Sequence, residues 1–137
     1  MKAQSTIIEQ VLLFAISVVI FIMCFAVFMG YQDYFLSIGI NDQLENTRNL
    51  IALNIIRLSE KGLADSSITI PISKNAGNEP YKIELSENGL NVTSLFSGVS
   101  KVSSLYGLGE SFGFDGKAVS TAGRVVIYKK ENEIRLI

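Results

Sequence analysis

Residues 11–31 contain no charged side chain. At about 1.5 Å of rise per residue, twenty such positions make a helix roughly 30 Å long, the thickness of a bilayer's hydrocarbon core. A helix apolar on every face belongs either inside a large protein or in lipid. The residues that follow are too few and too polar to wrap it, so the segment reads as a membrane span close to the N-terminus. A cleaved secretory signal has a shorter apolar region, about 7–15 residues, ending in a small-x-small site. Here the run ends in Phe28, Met29, Gly30 and Tyr31. A lipoprotein signal needs a small residue before its cysteine, whereas Met23 precedes Cys24.

The flanks set an expected orientation. Lys2 and the initial amino group are the positive charges ahead of the run, and Asp33, Asp42 and Glu45 follow it before Arg48 appears. The positive-inside rule then places the N-terminus in the cytoplasm and the remainder outside. Tyr31, Tyr34 and Phe35 fall where an interfacial aromatic belt is expected.

Beyond the span the apolar period stays helical. Ile40, Leu44, Thr47, Ile51, Ile55 and Leu58 recur at spacings of three and four, with no proline between residues 32 and 61. Asn41, Asp42, Glu45, Arg48, Asn49 and Arg57 occupy the other faces, and Leu50, Leu53 and Ile56 widen the stripe toward a surface able to carry a sheet. Gly62, with Lys61 before it, fits a helix C-terminus.

After Gly62 the period becomes two. Residues 67–72, 81–85, 90–93, 124–128 and 133–137 alternate as strands, and Pro71 confines the first of them to an edge or a strand end. Glu87, Asn88 and Gly89 mark one hairpin, and residues 130–132 a second. Residues 96–123 are rich in Gly and Ser, and 117–121 read as one more strand. The expected fold class is α+β, a long hydrophobic and then amphipathic N-terminal helix followed by a small antiparallel sheet. The expected segments are a leader at 1–3 or 1–4, a span at 4–31, an amphipathic continuation at 32–62 and a β-rich exterior domain at 63–137.

The remaining composition excludes several kinds of chemistry. The 137 residues carry a formal net charge of -1 with no basic block, so nucleic acid is not an expected partner. There is no histidine, and the one cysteine, Cys24, lies inside the apolar run. Ser111 has no base to activate it. Gly107, Gly109 and Gly113 miss the spacing of a phosphate loop by one position, and no helix follows them. Asp33, Asp42 and Glu45 read as a solvated helix face and not as a cation site. The expectation is therefore no enzyme, no cofactor and no metal. Asn91, Val92 and Thr93 form an N-glycosylation sequon, on the exterior side under the expected topology.

One short segment suggests a family. Lys2, Ala3, Gln4, Ser5, Thr6, Ile7, Ile8 and Glu9, followed at once by the apolar run, resemble the class III signal of archaeal type IV pilin-like precursors. The resemblance implies cleavage between Ala3 and Gln4 by an archaeal-type prepilin peptidase. Ala3 stands where the family usually has Gly, and Glu9 is then the sixth mature residue, where the family's acid is commonly the fifth. Cleavage between Gln4 and Ser5 restores that position, and both bonds stay open. It further implies a helix held in membrane lipid as a precursor and later packed against other pilin-like subunits, with an assembly ATPase and a platform protein as partners. Glu9 would accept a charge-assisted hydrogen bond from a neighbour's new amine and set register. Ala26 and Gly30 would permit close helix approach. The implied function is a major or minor subunit of a surface filament used in adhesion. The alternative is an uncleaved single-pass membrane protein whose exterior domain binds a partner in an archaellum or secretion apparatus.

Overall fold

The computed structural model describes residues 2–60, 65–105 and 107–137, with side chains from Thr6 onward. One helix, α1 (Lys2–Glu60), is followed by strands β1 (Asp65–Pro71), β2 (Tyr81–Ser86), β3 (Gly89–Ser94), β4 (Ser100–Ser103), β5 (Gly113–Val119), β6 (Arg124–Lys130) and β7 (Glu133–Leu136). A short 3-10 turn, Ser120–Ala122, separates β5 from β6. The layout is α+β, as the periodicities indicate. The chain divides into two compact units, Met1–Ser37 and Ile38–Ile137. The helix ending expected at Lys61 and Gly62, and with it the boundary between segments 32–62 and 63–137, lies outside the described residues.

The first unit is helix alone. Every side chain from Thr6 to Ser37 is exposed. Two serine hydroxyls are satisfied locally, Ser17 Oγ donating to the Leu13 carbonyl and Ser37 Oγ to that of Tyr34, each at 2.8 Å. A polar side chain so bonded adds little cost in lipid. Tyr34 and Phe35 meet edge to face, ring centroids 6.0 Å apart.

The second unit folds a seven-stranded sheet, in the order β1-β6-β7-β5-β2-β3-β4, with the rest of the helix. All pairings are antiparallel except β5 with β7. Alternation makes one sheet face apolar, and Ile83, Val92, Val125, Ile127 and Ile134 on that face are fully buried. They form one cluster with Leu44, Ile51, Ile55 and Leu58 of the helix, also fully buried, and with Ile40. The stripe read from the three-four spacing is thus the core seam. Tyr81 is its largest member, its hydroxyl donating to the Ser73 carbonyl at 2.6 Å.

Two readings are corrected. Leu50, Leu53 and Ile56 do not widen the seam; they are exposed at 42, 55 and 39 %. They sit more than about 80° from the buried stripe at 100° per residue, beyond the reach of a single sheet. Second, the strand expected at residues 117–121 begins earlier, at Gly113, and ends at Val119; Ser120 turns inward, its Oγ accepting from the Tyr81 amide and donating to the Lys74 carbonyl. The stretch left unassigned before residue 117 holds one further strand, β4, a four-residue edge strand held by β3 alone. Pro71 does close an edge strand, since β1 pairs only with β6. The first hairpin turns through Glu87 and Asn88, pairing Ser86 with Gly89; the second turns through Glu131 and Asn132, with Glu131 in the left-handed region at φ 50°.

Candidate assembly surface

The largest exposed apolar surface is the N-terminal helix itself. Ile7, Leu12, Phe14, Phe21, Met23 and Phe28 are each more than half exposed. An apolar area of that extent needs a cover, either lipid or other protein. By length and composition the helix is able to cross a membrane. Near the C-terminal end of the run, Val27, Gly30, Tyr31 and Tyr34 line an open groove, formed because Gly30 has no side chain on a face otherwise crowded with bulky residues. Such a groove accepts a ridge from a neighbouring helix.

The expected processing and register residues lie at the start of the same helix. Ala3, Gln4 and Ser5 have helical backbone, but their side chains lie outside the described residues. Glu9 is exposed on the helix, one turn and a half after Gln4. Cys24 is exposed within the run.

Asn91 is half-buried in the middle of β3, opposite Glu84 on one side and Val102 on the other. Its Oδ1 accepts from Ser100 Oγ at 2.6 Å and from Thr93 Oγ1 at 3.2 Å. Sequence spacing finds the sequon, but not this clamp across two strands.

The remaining polar residues are engaged as follows. In the glycine-rich loop, the Leu108, Ser111 and Phe112 amides donate to carbonyls of the loop itself, at 2.9–3.1 Å, so they do not form an anion cradle. Glu45 is engaged by Arg48 at 3.5 Å and by Lys101 at 3.9 Å. No group of acids, cysteines or histidines among the described residues is arranged to hold a metal. An open depression on the outer face of the sheet is lined by Ser67, Tyr128, Lys130, Glu133 and Arg135, where Arg135 Nε contacts Glu133 Oε1 at 2.8 Å.

One polar clamp was not legible beforehand. Glu79, isolated in sequence between Asn78 and Pro80, accepts a short hydrogen bond from Ser94 Oγ and another, 3.0 Å, from the Ser97 amide. These donors, the Ser94 hydroxyl foremost, hold its carboxyl below the ordinary range near 4.5. A lowered native pKa means that protonation favours the unfolded chain. The contribution is complete above about pH 4.5 and is withdrawn as pH falls from there through the lowered native value. We expect Glu79→Gln to flatten the acid side of the domain's stability profile, while leaving it unchanged in slope between pH 6 and 8. Urea midpoints measured across that range test this; an acid limb as steep as the parent's would refute it.

The fold defines a class: an apolar helix displaying a sheet domain built on its amphipathic continuation. Comparison with family models, curated proteins and solved structures finds no match for the chain.

Proposed function

We propose that this chain is a structural subunit of a type IV pilin-like surface filament of the archaeal kind. The observation that supports the reading most is a juxtaposition. The segment from Lys2 to Glu9, with its small residue before Gln4, runs directly into an apolar helical segment exposed from Thr6 to Ser37. As a precursor, the helix is held in lipid with the sheet domain outside. After a prepilin peptidase removes three or four residues, the helix leaves the bilayer and packs against sister helices.

That transfer brings no classical hydrophobic gain, because lipid tails are as apolar as the neighbouring helices. Dispersion packing and polar contacts must hold the bundle together. The groove at Gly30 suits the first, and Glu9 the second. A carboxylate is tolerated near the headgroups but is costly inside a helical bundle unless paired. The free amine created by cleavage is the natural partner. The role is assembly and not catalysis, with an ATPase and a platform protein driving extraction.

The test is intact-mass analysis of the protein purified from membranes of cells expressing the archaeal prepilin peptidase. A chain beginning at Gln4 or Ser5 is expected. Retention of Met1, with the protein found only as a dispersed integral component, would favour the fixed single-pass anchor. Glu9→Gln carries a second expectation: unchanged membrane insertion and processing, but subunit association weakened by about 10- to 100-fold, the worth of a charge-assisted hydrogen bond. Filament yield by sedimentation reads this directly.

A further inference from the structure

Large apolar side chains on a tight turn need an explanation when the fold goes to some length to hold them out of the core. Leu95 and Phe96 lie in the turn between β3 and β4, 48 and 76 % exposed. The turn is fastened from three directions. The Leu95 amide donates to the Pro80 carbonyl at 3.0 Å, the Ser94 amide to Val99 at 2.8 Å, and the Glu79 carboxylate receives Ser94 Oγ and the Ser97 amide. With its backbone tied down, the turn cannot fold Phe96 back over the core.

The clamp also locates the turn within its unit. Glu79 bridges to Ala76 in both directions, at 2.8 and 3.2 Å. The adjoining Gly77 amide donates to Gln43 Oε1 at 2.7 Å, and Ile40 lies so close to Gly77 that a Cβ there would meet its Cγ1 at 2.8 Å. The Leu95–Phe96 turn therefore belongs to the end of the sheet that rests on the first turns of this unit's helix. Connectivity gives that end its meaning. Ile40 is five residues after Phe35, about 8 Å of helical rise, and Phe35 closes the aromatic belt of the apolar segment. By connectivity, this is the end of the domain at which the helix enters it.

Charges of both signs lie at this end, Asp42, Glu45 and Glu79 among them, and two cations stand clear of those acids. Lys74 and Arg124 are exposed on the same end, Arg124 opposite Pro71 in the sheet and Lys74 beside Gly123. The other end of β6 and β7 turns through Lys130, Glu131, Asn132 and Glu133, all of them polar or charged. An exposed aromatic and aliphatic pair is a usual composition of an interfacial membrane contact, and the one anion at the turn, Glu79, is occupied by Ser94 and the Ser97 amide.

We propose that the Leu95–Phe96 turn is a second membrane contact, inserting into the headgroup region of the outer leaflet next to the point where the chain leaves the lipid, with Lys74 and Arg124 facing lipid phosphates. The contact belongs to the membrane-held form and rests only on the anchoring part of the function proposed above; it is indifferent to whether the leader is cut. It hides from water a patch that becomes available to a neighbouring subunit once the helix is withdrawn.

The chain has no tryptophan, so a single one reports cleanly. Phe96→Trp and, as a control at a solvated site on the outer sheet face, Tyr128→Trp are prepared in the full-length chain. Each is reconstituted in vesicles of phosphatidylcholine with a minority of phosphatidylglycerol, with or without lipids brominated near the carbonyl end of the acyl chain. The expected result for Phe96→Trp is blue-shifted emission, quenching by the bromolipid and protection from aqueous iodide, with the Tyr128→Trp reporter showing none of these. Neutralising Lys74 and Arg124 should reduce the bromolipid quenching. Emission from position 96 that is open to iodide and blind to bromolipid overturns the proposal. So does protection that appears only at high protein-to-lipid ratio without bromolipid quenching, which would assign the turn to a second copy. Circular dichroism of each variant establishes that the domain is folded. Failure here leaves N-terminal processing and filament formation untouched, so the two proposals fail separately.

Discussion

Gly116→Ala is expected to cost the sheet domain on the order of 4 kcal/mol, enough to leave a marginal domain largely unfolded. Gly116 has φ 144°, where an L-residue is strained, and it lies in β5 between Leu85 of β2 and Leu136 of β7. A methyl group at this position would overlap the backbone of Leu136. Relief requires β7 to move away, which breaks the parallel β5–β7 pairing, and with it the link between the two halves of the sheet. Gly39→Ala is the matched comparison. Gly39 is in the helix with nothing within 4 Å of the added Cβ, so its replacement should raise stability, by no more than about 1 kcal/mol. Urea titrations of the full chain in micelles, followed by the sheet signal, separate the two. Similar midpoints for Gly116→Ala and the parent would refute the strand register described above.

The second large effect is a contrast along one helix. Ile51→Ala removes a fully buried side chain from the seam between helix and sheet and should cost about 2–5 kcal/mol. Leu53→Ala, two positions on and 55 % exposed, should change the domain's stability by less than about 0.5 kcal/mol. If the chain assembles as proposed and Leu53→Ala diminishes that assembly with unaltered stability, the exposed row of Leu50, Leu53 and Ile56 contacts a neighbouring subunit. Equal destabilisation by both substitutions would mean that the sheet covers a wider stripe than the one described.

Much of this contrast was visible in the residues. The spacing of Ile40, Leu44, Ile51, Ile55 and Leu58 identifies the buried face, because helical periodicity is a local property that one strand of sequence carries in full. Both hairpins were legible for the same reason: short turns bring neighbouring segments together and their signals are contiguous. The apolar N-terminal helix was the clearest feature, since an uncharged run of that length admits few destinations. Leu50, Leu53 and Ile56 misled because an apolar residue beside a seam looks the same whether or not the sheet is broad enough to reach it.

The sequence by itself determined the two-part character of the protein, an apolar helix exposed to whatever surrounds it and a seam on which a sheet can pack, through side-chain periodicity that requires no knowledge of distant partners. Tertiary structure alone decided that β5 runs parallel to β7, that Gly116 must lack a side chain, and that Glu79 ties the Leu95–Phe96 turn to the start of the domain's helix. Those features depend on which backbones meet across long stretches of chain, and strand partnership is a competition among many registers that is settled only when the whole core closes.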